Sequence, residues 1–421
     1  MKLDGASGHL TYCSNIHPGE TWAEVRANLG RYVPSVRDQV ARGRPFGIGL
    51  RLSAEAAQTL AQPEAMAELK AFLARENLYI FTLNGFPYGT FHGKRVKEDV
   101  YLPDWQDIKR LQYTDLLADL LAELLPDVGG LIGSVSTVPG AFKPNAGTPE
   151  AVQRIVDLYV RHAAHLVQLR ARSGKYITLA IEPEPCCMLE TVEESVAFFR
   201  DHLFSDAAAK RLAELTGLEQ GKARQALHDH LGLCLDLCHA AVEFENPAAC
   251  LKQLADARVG VYKMQVTAGL RLPKLSSEAL EGVKQFDDPV YLHQVVESGP
   301  AGIKRYVDLP EALRSVGAGA VDGKEWRVHC HVPVFIDDMG AFSSTQAFIR
   351  EILRLHRAQP VSTHLEVETY TWGVLPPHLR TCPRSGPTHW SASCLRADRR
   401  STRACRCCLL HCRCSTLPAC S

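Results

Sequence analysis

The sequence predicts an α/β protein folded as a (β/α)8 barrel, with an irregular insertion before the last strand and a separate C-terminal tail. Two observations support this prediction. Short apolar runs that are typical of buried strands alternate with helix-like segments along most of the chain. Polar or ionisable side chains also recur where those runs end, which is where such barrels carry their active sites. Neither a G-x-G-x-x-G nor a Walker A motif supports an open, doubly wound sheet instead.

The strand-like runs number one more than a barrel requires. The runs with the strongest strand pattern are 9–17, 46–52, 78–84, 130–137, 176–181, 231–235, 259–267, 326–336 and 363–372. Two weaker runs, 291–295 and 303–307, are consistent with a hairpin. Either the section from 259 to 336 contains an extra strand, or one assignment is wrong.

Helix signals lie between most of these runs. Thr21 and Ser53 are predicted N-caps, and Thr148 followed by Pro149 begins a strongly amphipathic segment that extends to about residue 172. The helical pattern over 191–230 is longer than one helix and predicts two or three. Another helix is predicted over 344–357.

Composition and charge exclude several classes of protein. Of the 421 residues, 46% are hydrophobic and 22% are charged, which is typical of a globular protein. The first 379 residues carry 46 acidic and 39 basic residues, so they offer no nucleic-acid-binding surface. No apolar run reaches the roughly 18 residues of a membrane span, and no signal-peptide pattern opens the chain. We expect a cytoplasmic protein.

The cysteines divide the chain into two parts. Seven lie in the first 379 residues, mostly within apolar runs, which is typical of buried, reduced thiols. The other eight lie between 382 and 420, in a stretch from 380 to 421 that contains eight arginines, and their spacing does not match paired zinc ligands. We expect a barrel domain over 1–375 and a disordered tail over 376–421. The composition of this tail is that of a frameshift product that begins near 373–380.

Polar side chains at the ends of the predicted strands define the candidate site. Burying such groups without partners is costly, so they usually bind a metal ion or pair with one another. In a barrel the C-terminal ends of the strands converge even when they are far apart in the chain. The residues at these ends are Asn15, His17, Asn84, Glu182, Glu184, Asp236, His239, Gln265, His329, His331, Glu366 and Glu368.

The clearest of these ends is the strand 231–235, which is followed by Asp236 and, three residues later, His239. A carboxylate and an imidazole together suit a divalent metal. The alternative is that Asp236 only caps the next helix and that His239 only hydrogen-bonds within the loop.

A metal at this place would polarise a substrate carbonyl and its neighbouring hydroxyl. Two glutamates can then move a proton between adjacent carbons through an enediolate, one as base and one as acid, and Glu182 and Glu368 are our candidates. Glu184 and Glu366 are competitors. We assign them to the opposite side of their extended chains, with Glu184 in solvent and Glu366 in an exposed or inter-strand salt bridge as the simpler interpretations.

Other strand ends offer substrate contacts. His329 and His331 share one face of their strand, so one could bind metal and the other substrate; we favour His331 as the ligand because it is nearer the C-terminal end. Asn84 and Gln265 are candidate substrate contacts. His17 is another, unless it only ends the first strand.

The long segment from 86 to 105 contains the basic residues Lys94, Arg95 and Lys97. A loop of this length is usually functional, and these side chains could hold a phosphate. A solvated run of charges is the simpler interpretation.

Glu182 in an Ile-Glu-Pro strand, Asp236-x-x-His239 and a last strand ending at Glu368 together resemble the xylose isomerase-like barrel superfamily of sugar isomerases, ketose epimerases and endonuclease IV. This resemblance implies a divalent metal (Mn, Mg, Co or Zn) held by Glu182, Asp236, a histidine and Glu368, with His239 contacting substrate. The superfamily's metal histidine belongs on the seventh strand, where this chain has Gln265. The resemblance therefore requires the histidine ligand to come from His329 or His331, or the metal site to be altered.

More narrowly, residues 8–375 resemble the metabolite traffic protein EboE family. The runs that carry this resemblance are 10–20, 82–89, 235–245 and 327–333. The resemblance implies a sugar phosphate isomerase-like barrel linked to operons for moving secondary-metabolite precursors, whose other proteins would be potential partners.

Three functions follow as hypotheses. The first is a metal-dependent sugar or sugar phosphate isomerase or epimerase acting on a small polyhydroxy or phosphorylated metabolite. The second is a non-catalytic protein that binds or carries such a metabolite. The third, a metal-dependent phosphodiesterase, is disfavoured because the chain lacks a basic groove for nucleic acid.

Overall fold

Eight parallel strands form a barrel in this computed structural model, which describes residues 1–91, 96–316 and 321–369. The strands, in chain order, are β1 (His9–Tyr12), β2 (Phe46–Arg51), β3 (Leu78–Asn84), β4 (Gly133–Thr137), β5 (Ile177–Ile181), β6 (Leu231–Asp236), β7 (Val261–Val266), β8 (Ala268–Leu272), β9 (Val295–Gly299), β10 (Gly302–Tyr306), β11 (Glu325–Val332), β12 (Ser343–Ser344) and β13 (His364–Val367). The barrel consists of β1 to β7 and β13, in the order β1-β13-β7-β6-β5-β4-β3-β2. The predicted (β/α)8 class is confirmed, while the boundary at 375 and the predicted tail lie outside the described residues.

Contacts between the chain segments of β1 and β2 help to close the barrel. A parallel bridge joins Cys13 to Gly49. Just before it, the Thr11 hydroxyl donates to the Gly47 carbonyl oxygen at 2.7 Å and accepts from the Gly49 N–H at 3.1 Å. Because side chains alternate between the barrel interior and the surrounding helices, the strands are buried on both faces. Every residue of β2 and of β6 is buried.

Helices surround the barrel and follow most of its strands. Their bounds are α1 (Trp22–Val40), α2 (Ala54–Leu60), α3 (Pro63–Arg75), α4 (Ile108–Leu124), α5 (Pro149–Ser173), α6 (Val192–Phe198), α7 (Asp206–Thr216), α8 (Gln220–His230), α9 (Leu237–Val242), α10 (Pro247–Asp256), α11 (Ser277–Val283), α12 (Leu309–Val316) and α13 (Gln346–Ala358). The predicted caps are confirmed: the side chains of Thr21, Ser53 and Thr148 each accept a hydrogen bond from the first turn of the helix that follows. The pattern over 191–230 forms α6, a π-helical turn (Phe199–Leu203), α7 and α8.

The ninth strong strand belongs to a second sheet that is inserted between β7 and β13. In this antiparallel sheet the order is β10-β9-β11-β8-β12. The extra strand predicted within 259–336 is therefore β11. The predicted hairpin is formed by β9 and β10, although β9 begins at Val295 rather than at residue 291. Since β8 starts directly after Thr267, the insertion grows out of the C-terminal end of the barrel.

Within the described residues, no helix has both the length and the apolar character that a membrane crossing needs.

Candidate metal centre and active site

A cavity with an empty volume of about 530 Å³, partly open to solvent, lies at the C-terminal ends of the barrel strands. Glu182 and Glu368 line it from the barrel, and His329 and His331 line it from β11. The apolar side chains around it are Phe86, Pro87, Phe91, Val100, Tyr291 and Leu292. The barrel, the inserted sheet and the segment after β3 thus each contribute to one cavity with a polar side and an apolar side.

Three buried carboxylates converge beside this cavity. Glu182 follows β5 directly, Asp236 ends β6 and Glu368 follows β13 directly. One oxygen from each lies within 4.8 Å of an oxygen from each of the others. All three residues are at most 4% exposed. The sequence places them 54 and 132 residues apart, and the parallel barrel brings them together.

Asp236 uses its two oxygens differently. Asp236 is the N-cap of α9, because its Oδ1 accepts hydrogen bonds from the N–H groups of Cys238 at 2.7 Å and His239 at 3.0 Å. The Thr267 hydroxyl also donates to Oδ1, at 2.6 Å. Its Oδ2 is buried and has no hydrogen-bond partner within the described ranges. The capping interpretation is therefore confirmed, yet it leaves one oxygen of Asp236 available as a ligand.

The two glutamates differ in how the structure holds their oxygens. Glu368 Oε1 accepts hydrogen bonds from Asn15 Nδ2 at 2.6 Å and from Asn84 Nδ2 at 3.1 Å. Glu182 Oε2 is buried without a hydrogen-bond partner in the part of the chain that the structure describes. Asn84, a predicted substrate contact, both lines the cavity and orients Glu368.

The protonation of these glutamates is strongly perturbed. Burial, followed by the charges of Glu368 and Asp236, raises the pKa of Glu182 well above its usual range. Burial, followed by the charges of Asp236 and Glu366, likewise raises the pKa of Glu368. A group that takes and returns protons near neutral pH needs such a raised carboxyl pKa.

A second charged layer lies deeper in the barrel. Glu366 forms an ion pair with Lys263 of β7, and both side chains are fully buried. Burial lowers the pKa of Lys263, but Glu366, Cys234 and Cys13 together oppose this effect, and the pKa is raised overall. The predicted assignment of Glu366 to the opposite side from Glu368 was wrong, because residues two apart in a strand share a face. Its ion pair is inter-strand, as one interpretation held, but it is not exposed.

The histidines of β11 meet His239 above the carboxylates. His239 Nε2 lies 3.1 Å from His329 Nε2 and 3.9 Å from Asp236 Oδ1. His331 shares one set of potential metal ligands with Asp236 and His239, and its Nδ1 is 4.0 Å from Glu368 Oε2. The structure thus places the predicted ligand His331 and the predicted substrate contacts His239 and His329 in one cluster.

Glu184 is not exposed to solvent, contrary to the simpler interpretation. It is 6% exposed, and its Oε1 accepts hydrogen bonds from the Tyr101 hydroxyl at 2.7 Å and from Gln294 Nε2 at 3.1 Å. Burial raises its pKa, although the His239, Tyr101 and Gln294 contacts oppose this shift. β5 ends at Ile181, and the chain after Pro183 forms a turn in which the Glu184 N–H donates to the Leu189 carbonyl oxygen at 3.0 Å.

Two predicted substrate contacts lie away from the cavity lining. His17 follows a 3-10 turn (Ser14–Ile16) that directs the chain towards α1, where its ring stacks on Tyr32 with centroids 4.1 Å apart. Gln265 is fully buried within β7, and its Oε1 accepts a hydrogen bond from Cys234 Sγ at 3.2 Å. The positions of His17 and Gln265 depend on contacts with other elements of the fold, which the local sequence around each residue does not reveal.

The basic segment is not a run of solvated charges throughout. Lys97 is buried at the cavity, and its Nζ donates to the Asp288 carbonyl oxygen at 2.8 Å and to Asp308 Oδ2 at 2.7 Å. It therefore connects the segment after β3 to the residues on either side of the β9–β10 hairpin. Lys94 and Arg95 lie outside the described residues.

Sequence reasoning missed several residues that hold the site in place. Asn15 was one of the polar strand ends but was given no role, and it proves to orient Glu368. Tyr101 ends a 3-10 turn (Lys97–Tyr101) and Gln294 directly precedes β9, and neither was identified because only the fold brings them to Glu184. Lys263 lies inside an apolar run, and a lysine in such a run is the one signal that could have indicated a buried ion pair.

The carboxylate cluster fits a divalent cation. The available oxygens of Glu182 and Asp236 are buried beside Glu368, and Lys263 supplies one positive charge against four carboxylates in the two layers. Carboxylate oxygens are preferred ligands of Mg²⁺ and Mn²⁺, while the imidazoles beside them also suit Zn²⁺ and Co²⁺. The divalent cation predicted from the sequence is consistent with these residues.

No protein-family model and no protein of curated function matches this chain in sequence. Solved structures with a similar fold include a xylose isomerase domain protein from Planctomyces limnophilus, at 12% identity over 86% of this chain and 88% of that one, with a TM-score of 0.44. The probable 3-DHS dehydratase AsbF of petrobactin synthesis from Bacillus anthracis matches at 13% identity over 86% and 92%, with a TM-score of 0.38. The IOLI protein with a bound zinc atom matches at 13% identity over 61% and 72%, with a TM-score of 0.34. Such distant likeness identifies neither a reaction nor a substrate for this chain.

Proposed function

We propose that this chain is a metal-dependent isomerase or epimerase that moves a proton between adjacent carbons of a small polyhydroxy or phosphorylated metabolite. The observation that carries the proposal is the convergence of Glu182, Asp236 and Glu368 within 4.8 Å, with buried oxygens of Glu182 and Asp236 that no described group satisfies. Several buried carboxylates at one place need a cation or protons. This arrangement supports both metal binding and proton transfer.

Glu182 and Glu368 are suited to act as base and acid. They come from β5 and β13, which lie three positions apart around the barrel, and both line the cavity. Both pKa values are raised, and a raised carboxyl pKa suits a group that accepts or releases a proton in catalysis. Asn15 and Asn84 hold Glu368 in position through its Oε1.

A divalent cation held by Glu182, Asp236 and Glu368 would supply Lewis-acid polarisation of a substrate carbonyl and its neighbouring hydroxyl. His239 lines the same cavity, and its ring is fixed by a 2.7 Å hydrogen bond from Nδ1 to the Pro183 carbonyl oxygen. Its Nε2 therefore faces the cavity with a lone pair, which can accept a hydrogen bond from a substrate hydroxyl or bind a cation. The apolar side of the cavity limits access of water to the reacting carbons.

Solvent exchange tests the proposal directly. The purified protein is loaded with Mn²⁺, Mg²⁺, Co²⁺ or Zn²⁺ and incubated in deuterated water with a panel of aldoses, ketoses and their phosphates. We expect deuterium at the carbon next to the carbonyl of at least one sugar, because the proton passes through a glutamate. The variants Glu182→Gln and Glu368→Gln should each lose this exchange.

Glu297→Gln is the matched control. Glu297 is also a buried glutamate, but it lies in β9 and accepts hydrogen bonds from Lys324 and from the Trp326 indole. Exchange should survive in this variant. Wild-type protein that binds metal but exchanges no sugar would contradict the proposed reaction, and protein that binds no divalent metal would contradict the whole proposal.

A non-catalytic metabolite-binding protein is the second candidate. Gln265 stands on β7, where the resemblance to xylose isomerase-like barrels implies a metal histidine, and its Nε2 has no hydrogen-bond partner among the described groups. This difference favours an altered metal site. The EboE resemblance would then mean that the cavity carries a metabolite for the other proteins of a metabolite-traffic operon in the cytoplasm, and sugar binding without exchange would support this role.

A further inference from the structure

The ring orientation of His239 is set by a backbone carbonyl. Its Nδ1 lies 2.7 Å from the Pro183 carbonyl oxygen, which can only accept a hydrogen bond. Nδ1 therefore carries the hydrogen, and the neutral ring has a lone pair on Nε2. This Nε2 points into the cavity towards β11, where it meets His329.

The ring of His329 is fixed in the same way by Gln294. The Gln294 Nε2 group lies 3.1 Å from Glu184 Oε1 and 3.2 Å from the Pro185 carbonyl oxygen, both of which are acceptors. The Gln294 amide oxygen must therefore be the atom that faces His329 Nδ1 at 2.8 Å, and it accepts the hydrogen from that nitrogen. His329 Nε2 is left with a lone pair as well.

Two lone pairs thus face each other across the 3.1 Å between the Nε2 atoms. This arrangement is repulsive unless a proton or a cation lies between the two rings. In a tetrahedral zinc centre with Zn–N bonds of about 2.0–2.1 Å, two nitrogen ligands lie about 3.3 Å apart. The observed separation is close to that value.

A third imidazole and a thiol stand beside the pair. His331 has a ring nitrogen within 4.8 Å of a ligand atom of His239 in one set of potential ligands, and of His329 in another set that includes Cys238 Sγ. His239, His329, His331 and Cys238 are all at most 4% exposed. The ring centroids of His329 and His331 lie 5.3 Å apart, and that of His331 lies 6.1 Å from that of His239.

We propose a second metal site, formed by His239, His329 and His331 with Cys238 beside them, which binds an ion of the zinc class next to the carboxylate site. Imidazole and thiolate ligands select Zn²⁺ or Co²⁺, whereas carboxylates alone suit Mg²⁺ or Mn²⁺. Asp236 belongs to one ligand set with Glu182 and Glu368 and to another with His239 and His331, so it would lie between the two ions. This site does not depend on the reaction proposed above.

Metal stoichiometry tests this inference. The full-length protein is stripped with a chelator, reloaded with Zn²⁺ and analysed by mass spectrometry of bound metal. We expect about two zinc ions per chain in the wild type and about one in His329→Asn or His239→Asn, since the asparagine keeps a donor in place of Nδ1 but has no atom in place of Nε2. His356→Asn removes an equally buried histidine of α13 and should keep both ions.

Spectroscopy distinguishes the loss of a ligand from a loss of metal that is caused by misfolding. X-ray absorption fine structure measured at the zinc edge of the wild type should show nitrogen neighbours at about 2.0–2.1 Å, with a sulfur at about 2.3 Å if Cys238 is a ligand. In His329→Asn the mean number of nitrogen neighbours should fall, while the circular dichroism of the barrel stays unchanged.

The outcomes separate this site from the proposed function. One ion per chain that is lost in Glu182→Gln but kept in His329→Asn would overturn the second site alone, and a shared proton would then join the two rings. One ion that is lost in His329→Asn but kept in Glu182→Gln would support the histidine site and contradict the carboxylate site. No bound ion in the wild type would overturn both.

Discussion

Replacing Asp236 with asparagine should separate its capping role from its proposed role as a ligand. An amide oxygen can still accept the hydrogen bonds from Cys238 N–H, His239 N–H and the Thr267 hydroxyl that now reach Oδ1. The place of Oδ2 is taken by an amide NH2 group, which cannot bind a cation. The variant should therefore fold, keep α9 and lose the metal.

The magnitude follows from the distances in the carboxylate cluster. Two unit charges 4.8 Å apart repel each other by about 3.5 kcal/mol at an effective dielectric constant of about 20. Asp236 faces both glutamates, and after burial its charge is one of the causes that raise the pKa of each. The Asp236→Asn substitution removes this contribution from both Glu182 and Glu368.

The consequence for stability has a defined sign. The folded-state pKa values of Glu182 and Glu368 are raised, so the native state binds these protons more tightly than the unfolded chain. Their contribution to stability is present below the unfolded pKa, near 4.5, and is lost as the pH rises through the folded pKa values. Metal-free wild type should therefore lose stability as the pH rises above about 4.5, and Asp236→Asn should lose up to about 3.5 kcal/mol less for each glutamate that ionises.

Denaturant unfolding at pH 5 and pH 8.5, with and without Mn²⁺, measures both effects. A cation at 100 times its dissociation constant should stabilise the wild type by about 2.7 kcal/mol, and it should not stabilise Asp236→Asn. Glu297→Gln, which changes a buried carboxyl outside the cluster, should behave like the wild type. An Asp236→Asn variant with the wild-type pH dependence and the wild-type response to Mn²⁺ would refute this reasoning.

Three further substitutions test the packing around the site. Lys263→Met should destabilise the protein by about 3–5 kcal/mol, because it leaves Glu366 buried without its partner, and adding Glu366→Gln should recover most of the loss in denaturant titrations; equal losses in the single and double variants would contradict the ion pair. Gly49→Ala should lower the stability by about 1–3 kcal/mol, since the new Cβ would overlap Glu366 Oε1, and an unchanged midpoint of thermal unfolding would argue against that contact. Thr148→Ala should cost about 1 kcal/mol through the lost cap of α5, whereas Thr148→Ser should be nearly neutral in the same measurement.

Much of the barrel could be predicted because its signals are local. An apolar run of five or six residues, a capping threonine or a proline at the first helical position acts on its nearest neighbours, so Thr21, Ser53 and Thr148 were identified as caps without knowledge of the fold. The positions of Glu182, Asp236 and Glu368 at strand ends followed from the same patterns. The general rule that such ends converge in a barrel then predicted their meeting.

The insertion was predicted only in part. The count of nine strands indicated that one did not belong to the barrel, but no local signal showed which one. The decision depends on pairing: β11 pairs antiparallel with β8 and β9, while β13 pairs parallel with β1 and β7. Pairing depends on two strands that are distant in the chain. The residues of β11 alone therefore do not show that His329 lies at the site.

The sequence by itself determined the alternation of strands and helices and the polar residues that end the strands. Only the tertiary structure decided what each of these residues does. In the fold, Glu184 accepts a hydrogen bond from Tyr101, and Glu366 pairs with Lys263. The ring of His17 stacks on Tyr32. The Nε2 atoms of His239 and His329 lie 3.1 Å apart. The physical reason is that hydrophobic periodicity is set by neighbours along the chain, whereas the partner of a buried polar group is set by whichever element the fold packs against it.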